Sequence, residues 1–155
     1  MIATNKSGWT LLEYLNIRED EITDFDPVTG SYAIIQVNGK YLIGYNPYRE
    51  QWEFPAGGIE PGETARDAAA RELLEETHQT VHDLEFRGLV KIRKPNGDMK
   101  YQAVFLGSLD ELTPFETSTG DEMDKLMLWD LKEPIGYVDE CDVKIVQLSC
   151  LQANG

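Results

Sequence analysis

Gly57 to Gln79 reads GGIEPGETARDAAARELLEETHQ, a glycine-rich turn running into a helix that carries a cluster of carboxylates. Gly57, Gly58 and Gly62 can adopt backbone conformations closed to other residues, so Ala56 to Gly62 is expected to form a loop. Thr64 followed by Asp67 makes a capping-box-like start, with Asp in place of the usual Glu, and ARDAAARELLEET is rich in strong helix formers. A helix is therefore expected over Thr64 to His78. Residues three and four apart share a helix face, so Glu72, Glu75 and Glu76 project side by side. On the helical wheel Ala70, Leu73, Leu74 and Thr77 fall on an adjoining face, the expected core stripe. Ala65, Ala68 and Ala69 share the acidic face one or two turns earlier, where small side chains let the glycine turn come close.

Three carboxylates within one turn repel one another. An isolated cluster of this kind is ordinarily just a solvated face. Preceded at fixed distance by a glycine turn, it suits a hard divalent cation instead. Magnesium typically takes a few carboxylates together with waters and substrate phosphate oxygens.

Upstream, Ser31 to Val37 and Tyr41 to Tyr45 are β-rich, and the Asn38-Gly39 between them is the dipeptide that a type I′ hairpin requires. Gln51 to Phe54 is a short extended piece stopped by Pro55. Downstream, Leu84 to Arg93 and Met99 to Leu106 are expected strands joined by the turn Lys94 to Asp98. Thr113 to Asp124 is a polar, acidic loop, and Leu126 to Trp129 a further strand. Val143, Val146 and Cys150 suit a closing helix over Asp139 to Leu151. Trp9 to Ile22 mixes helical and alternating patterns and leaves both open. Strands interleaved with two helices indicate an α/β layer architecture with a mixed sheet. A single domain over residues 1–155 is expected, with 1–25 an N-terminal extension of uncertain structure.

The 14 basic and 28 acidic residues give a net charge of −14. Such a surface repels polynucleotide phosphates, so no nucleic-acid polymer is expected as a partner. A small phosphate-bearing substrate is also repelled unless a divalent cation bridges it to the protein. No apolar run approaches the ~18 residues of a membrane span, so no membrane association is expected. Met1 to Ser7 lacks a basic start with an apolar core behind it, and a cytoplasmic location is expected. Cys141 and Cys150, nine apart on the closing helix, are expected to be free thiols that fill the core.

From Gly57, five residues lead to Glu63 and seven more to Arg71, followed directly by Glu72, Leu73, Leu74, Glu75 and Glu76. That spacing, with Phe54-Pro55-Ala56 ahead of it, resembles the Nudix box of the Nudix hydrolases and occupies 23 of the 155 residues. The box normally ends in Gly and an aliphatic residue, where this chain has His78 and Gln79. His is among the non-glycine residues better tolerated in a left-handed C-cap, while Gln79 is expected to lose an apolar contact partly supplied by Val81.

The resemblance implies an α/β/α sandwich and hydrolysis of a nucleoside diphosphate linked to another group, with Mg2+ (or Mn2+) held by the box. It implies Glu72 and Glu76 as main metal ligands, Glu75 as a further ligand or water-orienting base, and the carbonyl of Ala56 or Gly57 as a non-carboxylate ligand. Glu63 and Arg71 correspond to residues that orient the helix and its glutamates. Family members often supply another acid from a distant loop, and Glu122 is the candidate among Glu116, Asp121, Glu122 and Asp124. Arg49 is a candidate phosphate contact, although an exposed arginine needs no such role. Tyr48 and Trp52 are candidates to stack on a base, with packing of the hairpin an equal account of them.

Pro95, 16 residues after Gln79, resembles ADP-ribose-cleaving members, though the turn it occupies accounts for it too. ADP-ribose or a nucleotide sugar is thereby placed slightly ahead of a nucleoside triphosphate or oxidised nucleotide. A non-catalytic, nucleotide-binding regulator with the same fold is the reading of another class. The family's habit of dimerising leaves a homodimer open.

Overall fold

Along Val28–Val37 (strand β3) the residues Gly30 to Ile35 and Val37 are buried, because both faces of this strand are covered. Ala33, Ile35 and Val37 point into one core layer and Tyr32 and Ile34 into the other. The protein is described here by a computed structural model, covering residues 1–114 and 123–153. Strands β1 (Ala3–Thr4) and β2 (Thr10–Leu15) precede β3, with a 3-10 helix at Glu19–Asp24. After it come β4 (Lys40–Asn46), β5 (Gln51–Glu53), β6 (Ala56–Gly58) and helix α1 (Ala65–Thr77). Strands β7 (Glu85–Arg93), β8 (Met99–Leu109) and β9 (Lys125–Trp129) and helix α2 (Glu140–Ala153) complete the chain.

The sheet runs β1-β2-β7-β8-β3-β4-β5, with β6 on β3 and β9 on β4. Only the β3–β8 pair is parallel among these ladders, so the sheet is mixed. Helix α1 covers one face through Ala69 and Leu73, and α2 covers the other through Cys141, Ile145 and Val146. The result is the expected α/β/α sandwich. Among the described residues no helix is long and apolar enough to cross a membrane. Both cysteines are free thiols.

The Asn38-Gly39 turn has φ of 52° and 81°, the two positive values a type I′ hairpin needs, and it pairs Val37 with Lys40. In the second turn, the Lys94 amide donates to the Asp98 carbonyl at 2.7 Å.

Three expectations change. Trp9 to Ile22 divides into strand β2 and the 3-10 helix, because β2 finds an antiparallel partner in β7 and buries Leu11 completely. The N-terminal extension is therefore a part of the sheet. The Ala56–Gly58 start of the expected loop is a strand that pairs Gly58, Gly57 and Ala56 with Gly30, Ser31 and Tyr32. A Cβ at Gly30 would lie 2.8 Å from the Gly57 carbonyl oxygen, so glycine is what permits the approach.

The third concerns α1. Its buried residues are Ala68, Ala69, Leu73, Glu76 and Thr77, while Ala70 is exposed and Leu74 is 52% exposed. The helix is turned further toward its acidic face than its apolar residues alone suggest. It packs on the glycine strand β6 as well as on β3, and Ser31 Oγ donates to the Ala65 carbonyl at 2.7 Å.

Candidate active site

Helix α1 begins on Thr64, whose side-chain oxygen accepts the Asp67 amide at 3.0 Å and satisfies one of the free N–H groups of the first turn. It ends on His78, at φ 61° and ψ 22°, where the left-handed conformation closes the helix with the His78 amide on the Leu74 carbonyl. Gln79 departs from the expected apolar loss. Its fully buried amide donates to the Thr113 carbonyl and accepts the Thr113 N–H, both at 2.8 Å. A second donation reaches the Thr77 carbonyl at 3.0 Å. The side chain thus pairs with a peptide group as a neighbouring strand would, and ties the end of α1 to the chain after β8. That polar partner, far away in sequence, replaces the missing aliphatic contact.

Between these caps, Arg71 organises the carboxylates. Its guanidinium donates to both Glu63 oxygens at 2.8 and 3.0 Å, to Glu72 Oε1 at 2.9 Å, to Glu75 Oε2 at 3.2 Å and to the Gly58 carbonyl at 2.7 Å. Five bonds use all five N–H donors of the group. The hydrogen bonds from Arg71 hold the Glu63 carboxyl down at about 2, so it stays charged. Arg71 offsets part of the repulsion within the acidic cluster, including through an ion pair to Glu75 one turn away at 3.2 Å. Glu76 is turned inward and is only 5% exposed.

Gly57 faces this cluster directly. A Cβ there would sit 2.0 Å from Glu72 Cδ and 2.4 Å from each of its oxygens. The bare backbone leaves room for a carboxylate against β6, which brings the Gly57 and Ala56 peptide groups alongside Glu72.

Glu72, Ala56, Gly57 and Gly58 line a cleft of about 500 Å³. Arg49 also lines it, with Nη1 2.9 Å from Glu53 Oε2. Tyr48 is 76% exposed and Trp52 lies on the other face of β5, with its indole N–H on the Ile135 carbonyl at 3.0 Å; neither forms the cleft wall. The alternation of β5 is the reason: Gln51 and Glu53 point into the cleft, so Trp52 between them points away, against Tyr45. Glu122 lies outside the described residues.

Several wall residues escaped the sequence reading. Trp9, Asn5 and Ser7 come from the N-terminal segment, Lys100 and Gln102 from β8, and Asp139 and Asp142 from the start of α2. Burial pushes the Asp142 carboxyl well above its usual range, with the Asp139 and Glu53 charges adding to the effect. Tyr32 donates to Asp142 Oδ1 at 3.1 Å and the Phe54 amide to Oδ2 at 3.2 Å. Asp139 is raised by burial and held by Asn5 at 2.9 Å. The period-2 pattern of β5 could have placed Gln51 and Glu53 on one side; nothing local marks the others.

Among the described residues, no three acidic, histidine or cysteine side chains converge as a ready metal cage. Glu72 and Glu75 are turned to Arg71. The donors gathered here are carboxylates and peptide carbonyls, all oxygen, which is the chemistry a hard divalent cation takes. With the space that Gly57 leaves beside Glu72, the residues fit such an ion.

A family model described as the NUDIX domain matches residues 29–147. This chain belongs to the NUDIX family. The glycine strand, Glu63, Arg71 and the three helix glutamates all lie inside that match, whereas β1, β2 and the 3-10 helix precede it. Among curated NUDIX-related proteins, the chain is 39% identical over 61 residues to the putative 8-oxo-dGTP diphosphatase YtkD of Bacillus subtilis, covering 39% of this chain and 38% of that protein. It is 37% identical over 78 residues to the RNA pyrophosphohydrolase of Pseudomonas savastanoi, covering 46% and 49% respectively. The chain thus matches less than half the length of each of these relatives. The crystal structure of the Bacillus subtilis pyrophosphohydrolase BsRppH superposes with a TM-score of 0.72 over 98% of this chain and 94% of that one, at 19% identity. The NUDIX fold therefore extends through the N-terminal strands as well.

Proposed function

We propose that this NUDIX protein is a magnesium-dependent pyrophosphohydrolase that cleaves a phosphoanhydride bond in a nucleoside diphosphate linked to another group. The observation that carries this reading is the Glu72 carboxylate packed against Gly57, where any side chain would collide with it. Glu72, Glu75, Glu76 and the carbonyl of Ala56 or Gly57 would hold Mg2+ or Mn2+. When bound, such an ion polarises phosphate oxygens and acidifies water for in-line attack on phosphorus.

The chain's own groups prepare that reaction. Arg71 and Glu63 hold the glutamates' helix against β6, and Glu72 and Glu75 would exchange their hydrogen bonds with Arg71 for the ion. Buried Glu76 presents a carboxylate shielded from bulk water, and the more exposed Glu75 is the group placed to accept a proton. Arg49 is the proposed phosphate contact from the cleft wall. Tyr48 beside it is the proposed stacking residue at the rim, and Glu122 the proposed further acid. Trp52 is assigned to packing by its contacts with Tyr45 and Ile135.

The two curated relatives act, by name, on an oxidised nucleoside triphosphate and on RNA, which favours a phosphate as the group linked to the diphosphate. Pro95 lies in the turn between β7 and β8, so the hairpin accounts for it as well as a lean toward ADP-ribose does. The deciding experiment incubates the protein with Mg2+ and a panel of dNTPs, oxidised dNTPs, triphosphate-ended RNA, ADP-ribose and nucleotide sugars. Release of pyrophosphate or phosphate from the triphosphates is the expected result, and Glu76→Gln should lower kcat by about 10²–10³-fold. Calorimetric binding of a nucleotide with no turnover across the panel would instead favour the regulator reading.

A further inference from the structure

We propose that Lys100 is a phosphate-binding residue of the cleft, set against the N-terminal wall to hold the substrate's phosphate chain opposite the glutamates. This rests on the nucleotide reading of the same cleft and adds a residue outside the Nudix box. Lys100, the second residue of β8, lines the cleft together with Glu72, Gly57 and Arg49. Its ammonium lies 4.7 Å from the centroid of the Trp9 ring. Among the described residues it makes no ion pair and no hydrogen bond.

That position is unusual for this chain. Acidic residues outnumber basic ones by 28 to 14, and Arg71 alone lies within 4 Å of the carboxylates of Glu60, Glu63, Glu72 and Glu75. Lys100 is half-buried and meets an aromatic face where a carboxylate would be the ordinary partner. Its surroundings disfavour the charge: burial lowers its pKa, and the positive charges of Lys94 and Arg49 lower it further. An anion entering the cleft would offset these effects by pairing with the ammonium.

A lysine ammonium is a compact point charge, suited to a phosphate oxygen that approaches without a fixed bidentate geometry. The cleft, at about 500 Å³, falls within the ~300–1,000 Å³ typical of small-molecule sites. Gly57, Glu72, Lys100 and Trp9 all line it. A diphosphate or triphosphate chain whose reacting phosphorus lies by the glutamates can therefore place another phosphate against Lys100. The Trp9 ring keeps the ammonium over the cleft without neutralising it, a task that a neighbouring glutamate would defeat.

The test compares the full-length wild type with Lys100→Met, which keeps the stem on Trp9 but drops the charge, and Lys100→Arg, which restores it. On the nucleotide that the wild type cleaves, Lys100→Met should raise KM about 10–100-fold with kcat within about threefold, and Lys100→Arg should recover most of the loss. Calorimetric titration with inorganic pyrophosphate, with and without magnesium, reads binding apart from turnover; the Lys100→Met variant should bind it about tenfold or more weakly. Unchanged KM and unchanged pyrophosphate affinity in a folded Lys100→Met protein overturn the inference while leaving the hydrolase reading intact. Lys100-dependent pyrophosphate binding in a protein that hydrolyses nothing would keep the phosphate site and sink the hydrolase reading. Should Lys100→Met fail to fold, Lys100→Gln serves in its place. Wild-type protein that binds no pyrophosphate and shows no turnover also refutes the proposal.

Discussion

Replacing Gly57 with Ala should separate activity from stability. The added Cβ would stand 2.0 Å from Glu72 Cδ, and the glycine is not in a left-handed conformation, so alanine meets no backbone strain there. The obstacle is the far end of a flexible side chain. Relief comes from swinging the Glu72 carboxylate away, with β6 and α1 left in place. Moving that carbon from 2.0 Å out to the 3.4 Å of ordinary contact displaces it by about 1.4 Å. Misplacing a positioned group by ~1 Å can cost about 10²-fold in rate, equivalent to about 2.7 kcal/mol of barrier. The loss in folding stability should stay below about 1.5 kcal/mol, the scale of one weakened hydrogen bond from Arg71 to Glu72. Gly58→Ala is the control: its Cβ would meet only the Thr29 carbonyl, at 3.7 Å. Steady-state kinetics on the cleaved nucleotide, with urea melts of all three proteins, decide the matter. A folded Gly57→Ala enzyme with wild-type kcat/KM would refute the role given to this glycine and to the Glu72 position.

Glu63 offers a pH test with a definite sign. Its pKa falls from 4.5 to about 2 on folding, so the stability it contributes is present above 4.5 and is lost as pH drops toward 2. Glu63→Gln should accordingly flatten the fall in urea midpoint over that window. Arg71→Lys should reduce kcat by about 10–100-fold, since a point charge cannot serve Glu63 in bidentate fashion together with Glu72 and the Gly58 carbonyl. Gln79→Ala should cost about 1–3 kcal/mol in thermal or urea melts, because it strands the peptide N–H and C=O of Thr113. A variant as stable as wild type would show that this side-chain-to-peptide pair contributes nothing.

The legible parts of this protein were local. The α1 helix, its Thr64 cap, the left-handed His78 end and the Asn38-Gly39 hairpin each depend on residues a few positions apart, which a single sequence displays. The side-by-side placement of Glu72, Glu75 and Glu76 follows from helix geometry alone. The wheel chose Leu73 and Thr77 correctly and missed with Ala70 and Leu74, which look as apolar as Ala69 and Leu73 until β6 supplies a second packing surface. The N-terminal segment was ambiguous for the same reason: Leu11 becomes a core residue only once β7 lies beside it.

By itself, then, the sequence determined which carboxylates stand together, where their helix starts and stops, and that a glycine turn precedes them. Tertiary structure alone decided that Arg71 distributes its five N–H groups over Glu63, Glu72, Glu75 and Gly58, that Gln79 grips Thr113, and that Trp9 and Lys100 face the same cleft as Glu72. The division has one physical cause. Periodicity and capping act within a few residues of chain, whereas burial and the choice of a polar partner depend on what the folded sheet brings alongside.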